Sequence, residues 1–85
     1  MGRRSRVEVI IGILSEATKE VNKTRMMYRC NLNYSCFSKY FNELLKKGLI
    51  AEVHSIHNGV KKYKTTEKGK ELLEVLRKAK EFISI

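Results

Sequence analysis

The sequence predicts a small α+β domain that is mostly helical, and three observations support this prediction. Apolar residues recur at helical spacing near residues 6–18, 34–47 and 66–83. Between the last two of these segments, apolar-alternating stretches flank an Asn58-Gly59 dipeptide, which is a strong short-range signal for a β-hairpin because both residues tolerate positive φ. A chain of 85 residues is long enough for one domain with a modest core.

The first helix is predicted from about Arg6 to Thr18. Ser5 and Glu8 have the spacing of a capping box, with Ser at the N-cap and Glu three residues later. Residues 19–23 are polar and are interpreted as a connection. The apolar stripe of this helix comprises Val7, Ile10, Ile11 and Leu14.

A short second helix and a tight turn follow. Thr24 is the predicted N-cap of this helix, and it ends at about Cys30. The stretch Asn31-Leu32-Asn33 predicts the turn, because Asn tolerates left-handed backbone, and its leucine is expected to point inward.

The third helix is predicted from about Tyr34 to Lys47, with Gly48 as its C-terminal stop. Its polar face lies opposite its apolar face, as the helical period requires. The predicted buried side comprises Phe37, Phe41, Leu44 and Leu45, with Tyr40 at the margin.

The hairpin register follows from matching side chains across its two strands. If Val53 and Tyr63 both face the core, they should oppose each other, and Glu52 then opposes Lys64. That register requires a three-residue loop, His57-Asn58-Gly59, whose glycine takes the left-handed position of a type I turn with a bulge.

The last helix is predicted from Thr66 to about Ile83, and its apolar stripe could pack on the first helix or on the same helix of a second subunit. Residues 66–85 carry nearly balanced charge, which favours contact between like chains, so we expect a homodimer. We therefore divide the chain into a DNA-binding part, residues 1–65, and a dimerisation element, residues 66–85. The predicted dimerisation residues are Leu72, Val75, Leu76, Ala79, Phe82 and Ile83.

The order of these elements is the order of a winged helix-turn-helix. The second helix, the turn and the third helix form a helix-turn-helix, and the hairpin directly after it is the wing. In such a domain the third helix lies in the major groove of duplex DNA, and the lysine-rich wing reaches along the backbone or into a minor groove.

Two segments of the sequence resemble the small archaeal winged-helix DNA-binding proteins. They are KTRMMYRCNLNYSCFSKYFNELLKKGLI (Lys23–Ile50) and YKTTEKGKELL (Tyr63–Leu73). The resemblance implies a predicted transcriptional regulator, or a member of the crenarchaeal branch of chromatin proteins that dimerise through a C-terminal antiparallel coiled coil. Thr65 stands where that family usually has an aliphatic residue, and the last helix is shorter than in the chromatin branch.

The charge supports a polyanionic partner. The chain carries 18 basic and 9 acidic residues, and nearly all of the excess lies within residues 1–65, which is where the helix-turn-helix and the wing are predicted. The longest apolar run is too short to span a bilayer, and no signal-peptide core follows the basic N-terminus, so we expect a cytoplasmic, nucleoid-associated protein without a membrane contact.

The predicted DNA contacts lie on the second helix, the third helix and the wing. The alternative to DNA contact is that the third helix simply has an ordinary polar outer face. For Tyr34 the alternative is a place in the core. The basic arm of Arg3, Arg4 and Arg6 could follow a groove or stay disordered without DNA. The residues are Arg25, Arg29, Asn33, Tyr34, Ser35, Ser38, Lys39, Asn42, Lys46, His57, Asn58, Lys61, Lys62 and Lys64.

Other functions have little support in the sequence. There is no Asp and no plausible nucleophile–base pair, so we do not expect an enzyme, a cofactor or a small-molecule ligand. His54 and His57 lack nearby ligands for a metal, and Cys36, near a helix start, leaves a redox role conceivable. Three functions remain: a sequence-specific regulator, a chromatin protein of low specificity, and a protein-interaction module.

Overall fold

The computed structural model describes residues 5–53 and 59–83, and it is a winged helix-turn-helix. Four helices pack around one core, with a three-stranded antiparallel sheet in the order β1-β3-β2 at one side. The predicted α+β, mostly helical fold is confirmed. The elements are α1 (Arg6–Glu16), β1 (Val21–Asn22), α2 (Lys23–Arg29), α3 (Tyr34–Lys46), β2 (Ile50–Val53), β3 (Lys62–Thr65) and α4 (Glu67–Ile83).

The predicted capping box starts α1. The Ser5 hydroxyl accepts a hydrogen bond from the Glu8 N–H at 3.2 Å, and the Ser5 N–H donates to the Glu8 carboxylate at 3.3 Å. These two bonds satisfy backbone and side-chain groups at the open end of the helix, where no preceding turn supplies partners.

The start of α2 corrects the prediction. Its N-cap is Asn22 rather than Thr24, and the Asn22 side-chain oxygen accepts from the Arg25 N–H at 2.8 Å. Asn22 can act as a cap because it belongs to β1 and has extended backbone, with φ −81° and ψ 164°. The interpretation of residues 19–23 as a connection alone was wrong, since β1 lies within it.

Both helices of the helix-turn-helix end in a left-handed residue, as predicted. Asn31, after α2, has φ 56°, and its N–H donates to the Tyr28 carbonyl at 3.0 Å. Gly48, after α3, has φ 74°, and its N–H donates to the Leu45 carbonyl at 3.0 Å. The next N–H in each case reaches one residue further back, so both ends are Schellman motifs.

The predicted hairpin register was wrong by one residue. Glu52 pairs with Tyr63, and Val53 pairs with Lys62. The register follows Ile50 and Thr65, which oppose each other and are both buried. A shift of one residue turns every side chain of a strand to the opposite face, so a buried Ile50 excludes an inward Val53. Gly59 has φ 66°, as predicted, while the rest of the predicted loop, His57 and Asn58, lies outside the described residues.

The core joins α3 to the sheet and to α1. Phe37 and Phe41 stack with ring centroids 5.1 Å apart, and the Tyr63 ring packs edge-on against Phe41 at 4.9 Å. Leu44 is buried with them, whereas Leu45, also predicted for the buried face of α3, is half-buried. This packing orients α3, so that the opposite face of α3 is turned to solvent.

Thr66 and Gly69 join α4 to the end of α3. The Thr66 hydroxyl donates to the Gly48 carbonyl at 2.7 Å and accepts from the Gly69 N–H at 3.0 Å. The Thr66 N–H donates to the Leu49 carbonyl at 3.0 Å. Gly69 is buried against that same carbonyl, where a Cβ would not fit. In the stretch YKTTEKG, Tyr63 therefore supplies a buried ring, Thr66 a helix cap and Gly69 a close approach between α4 and the Leu49 carbonyl.

One side of α4 packs on the body of the domain. Leu73 is buried, the Arg77 guanidinium donates to the Ser15 hydroxyl at 2.8 Å, and Lys80 lies 3.3 Å from the Glu8 carboxylate. None of these three was among the predicted dimerisation residues, and the six that were divide between this contact and solvent. Leu72, Leu76 and Ala79 are half-buried, whereas Val75, Phe82 and Ile83 are exposed.

Candidate nucleic-acid interface

The outward face of α3 is a continuous polar surface, and we call it the reading face. It lies opposite the buried Phe37 and Phe41, as the helical period predicts. None of the ion pairs among the described residues engages its two lysines, so their charges are available to an anion. Four of its five residues are exposed and Ser38 is half-buried; the five are Ser35, Ser38, Lys39, Asn42 and Lys46.

At the start of α3, Tyr34 and Asn33 differ in how far their side chains are available for contact with DNA. The Tyr34 side chain is 67% exposed, so it is a surface residue and not a core residue. The side-chain oxygen of Asn33 is already engaged, because it caps α3 by accepting from the Cys36 N–H at 2.8 Å. Phosphate oxygens only accept hydrogen bonds, so Asn33 would contact a phosphate through the NH2 group of its side chain, which is not the group that caps α3.

The predicted phosphate contacts of α2 are brought together with the wing. Arg25, Arg29 and Lys62 line one groove, which runs over β1. Arg29 also lies 3.9 Å from the carboxylate of Glu16, an exposed and therefore weak pair. The other flank of α2 faces α3, where Thr24 shares a small pocket with residues of that helix.

The described part of the wing presents its lysines on the outer side of the sheet. Lys62 and Lys64 alternate with the buried Tyr63 and Thr65, so both lie on the face of β3 that is turned away from the core. Lys61 is exposed. His57 and Asn58, predicted for the wing tip, lie outside the described residues, as do Arg3 and Arg4 of the arm.

Sequence reasoning missed an ion cluster beside the reading face. The Arg6 guanidinium donates to both carboxylate oxygens of Glu43, at 3.0 and 2.9 Å, and lies 5.6 Å from the centre of the Tyr40 ring. Lys47 adds a second cation, 3.4 Å from the same carboxylate. The i,i+4 spacing of Glu43 and Lys47 could have indicated their pair, whereas Arg6 is 37 residues away in sequence.

The ion cluster changes the pKa of Glu43. Desolvation raises the pKa of the Glu43 carboxyl, but Arg6 and Lys47 lower it by more, so that its pKa lies below the ordinary value of 4.5. At neutral pH Glu43 is therefore ionised beside the reading face.

Metal binding and membrane insertion find no structural support in the described ranges. Within residues 5–53 and 59–83, no three metal-ligating side chains come together. No helix in the same ranges has the length and apolarity needed to cross a bilayer.

Comparisons with known proteins agree with this architecture. The uncharacterized protein MJ0287 of Methanocaldococcus jannaschii is 39% identical over 75 residues, which are 87% of this chain and 71% of that protein. Sso10a-2, a DNA-binding protein from Sulfolobus solfataricus, superposes with a TM-score of 0.83 at 28% identity, over 95% of this chain and 83% of that one. F-93 of SSV1 superposes with a TM-score of 0.70 at 20% identity, over 95% and 92%.

The resemblance predicted from Lys23–Ile50 and Tyr63–Leu73 is thus confirmed. The family profile described as winged helix-turn-helix matches residues 3–84. With that match spanning nearly the whole chain, and with the fold and reading face described above, the chain belongs to the winged helix-turn-helix family.

Proposed function

We propose that this protein is a transcriptional regulator that binds duplex DNA with α3 in the major groove. The observation that carries the proposal is the reading face, which is exposed except at Ser38 and is turned outward by the packing of Phe37 and Phe41 behind it. A helix of this diameter fits the major groove, where each base pair presents a distinct pattern of donors and acceptors.

The chemistry of the reading face suits base edges. Asn42 can pair with adenine through both groups of its amide, Lys39 can donate to guanine, and the hydroxyl of Ser35 can reach a base or a phosphate. The three side chains follow one another at helical spacing and are exposed. They would therefore meet successive positions along the groove.

The wing and α2 supply the backbone contacts in this proposal. Lys61, Lys62 and Lys64 extend the positive surface along β3, and Arg25 and Arg29 continue it on α2. Cations that neutralise phosphates release counterions, so the binding should weaken steeply as salt is added.

We further propose a homodimer formed through α4. Leu72, Val75, Ala79 and Phe82 recur at intervals of three, four and three residues, which is the spacing of a coiled-coil seam. Val75 is 61% exposed and Phe82 is 87% exposed, so the single chain leaves this seam open. Two copies joined here would present two reading faces to DNA, and a palindromic site would match their symmetry.

A matched pair of variants tests the dimer. Val75→Gln places a polar residue in the seam, whereas Lys78→Gln changes an exposed residue outside it. Sedimentation equilibrium should show a weaker dimer for Val75→Gln and an unchanged one for Lys78→Gln. A monomeric wild type at high protein concentration would remove the dimer from the proposal and leave the DNA contact intact.

The DNA proposal is tested by a salt titration against a random duplex pool, followed by sequencing of the bound fraction. Steep salt dependence with one enriched motif supports a regulator, and a palindromic motif supports a dimeric one. Absence of binding at low salt would refute DNA binding and favour a protein-interaction module.

One observation favours a second candidate, an architectural DNA-binding protein of low specificity. The reading face carries no arginine, the side chain that most often recognises guanine through two hydrogen bonds. Steep salt dependence without an enriched motif in the same experiment would identify this function. Either function goes with a cytoplasmic, nucleoid-associated location.

A further inference from the structure

We propose that Glu43 weakens sequence-independent DNA binding by holding Arg6 and Lys47 away from the phosphate backbone. The inference rests on the proposed DNA-binding function and assigns a role to a residue outside the predicted contacts. Glu43 is then a specificity-determining residue, since it lowers the part of the affinity that every DNA sequence shares.

The position of Glu43 is the first support. It is the one acidic residue of α3, and it directly follows Asn42 of the reading face. The helical period places it on the flank of that face, on the side where α1 supplies Arg6. A helix inserted in the major groove has phosphates along both flanks, so the cluster lies where a backbone would pass.

The contacts of Glu43 are the second support. Arg6 makes both of its hydrogen bonds to the carboxylate through a single nitrogen, Nη2, and Lys47 lies 3.4 Å from the Oε2 atom that Arg6 also contacts. Both cations lie against the carboxylate, and the Arg6 guanidinium also lies over the Tyr40 ring, within the range of a cation–π contact. One anion thus occupies two cations that flank the reading face.

Arg6, Lys47 and Glu43 are all partly exposed to solvent, so a DNA phosphate can compete with the carboxylate for the two cations. The side chain of Arg6 is 55% exposed, that of Lys47 is 61% exposed and that of Glu43 is 32% exposed. Exposed ion pairs are weak, so a phosphate can displace the carboxylate, but each displacement subtracts the strength of a pair from the binding free energy. The repulsion between Glu43 and the phosphates adds to this cost.

Glu43→Gln tests the inference because it removes the charge and keeps the shape. With both cations released, the affinity for a random duplex should rise about threefold to tenfold at low salt. The plot of log affinity against log salt should steepen, by up to about two, because the wild type makes these two phosphate contacts only in part and each full contact adds about 0.9 to the slope.

Glu67→Gln is the matched control. It removes the same charge from an exposed pair, with Lys70 at 3.6 Å, but on α4. A gain that came only from the change in net charge would be the same in both variants, whereas the cluster predicts a larger gain for Glu43→Gln. Circular dichroism sets an assay temperature at which every variant is folded.

A double-mutant cycle with Arg6→Gln isolates the pair. If Glu43 withholds Arg6 from DNA, Arg6→Gln should cost more affinity in the Glu43→Gln background than in the wild type. Equal costs in the two backgrounds, or equal gains for Glu43→Gln and Glu67→Gln, would overturn the inference while wild-type binding upholds the proposed function. A wild type that does not bind DNA at low salt would overturn both.

Discussion

Replacement of Gly69 by alanine should destabilise the fold, although alanine is the better helix former. Gly69 lies in the first turn of α4, where the helix passes the Leu49 carbonyl. An added Cβ would overlap that carbonyl oxygen and would lie 2.6 Å from the Thr65 methyl carbon, and 3.1 Å from the Leu49 carbonyl carbon. Ordinary contacts between carbon atoms are about 3.5 to 4.0 Å, so α4 must move by roughly 1 Å.

The expected cost combines three terms. Overpacking of a core costs about 1–3 kcal/mol. The shift also strains the cap formed by Thr66, whose bonds to the Gly48 and Leu49 carbonyls are 2.7 and 3.0 Å long, and loss of a cap costs about 1 kcal/mol. The higher helix propensity of alanine offsets this cost by about 1 kcal/mol. The net loss is about 2 kcal/mol, which lowers the melting temperature by roughly 8–16 °C in a domain of this size.

Gly12→Ala is the control within the same chain. Gly12 lies inside α1, and among the described residues a Cβ there would meet only the Cys30 sulfur, at an ordinary 3.8 Å. Helix propensity should then dominate and raise the melting temperature by about 2–8 °C. Thermal unfolding followed by circular dichroism measures both variants. A Gly69→Ala protein as stable as the wild type would refute the steric reasoning.

Three further results are expected. Thr65→Val should lower the free energy of unfolding, measured by chemical denaturation, by about 1 kcal/mol, because it removes the buried hydrogen bond that the hydroxyl donates to the Leu14 carbonyl at 2.8 Å. Thr65→Ser should keep that bond, and a Thr65→Val protein as stable as the wild type would show that the bond contributes nothing. The pKa of Glu43 is lowered, so its contribution to stability is present above pH 4.5 and is lost as the pH falls through the folded-state pKa. The melting temperatures of wild type and Glu43→Gln should therefore converge as the pH falls below 4.5, and a difference that grows in acid would contradict the ion pair. Lys39→Ala should weaken binding to a selected site more than binding to random DNA, and an equal loss of affinity for both would argue against base recognition. Lys62→Ala should weaken binding to both equally and should reduce the slope of log affinity against log salt by about one.

The sequence was most informative where the structure depends on neighbouring residues. The Ser5–Glu8 box, the left-handed Asn31 and Gly48, and the apolar face of α3 were all read from local spacing. Each of these features is decided within one or two helical turns, by backbone groups that need a partner or by a φ value that few residues tolerate. The order of elements then followed, and with it the prediction of a reading face on α3.

The tertiary structure decided the features that join distant segments. Strand β1 has two residues, too few for an alternating pattern in the sequence. It is a strand because it pairs with β3, which is distant in sequence. The hairpin register depends on Thr65, whose N–H donates to the Ala17 carbonyl at 2.7 Å, a contact with the end of α1 that no alternation rule contains.

The same reason explains the cluster beside the reading face. Arg6 belongs by sequence to the basic N-terminus, and only the packing of α1 against α3 brings it to Glu43. Local propensity and capping therefore determined the helices and the turn of this protein. Contacts between residues far apart in sequence decided how the sheet pairs and which charges meet, because their energies exist only after the chain has folded.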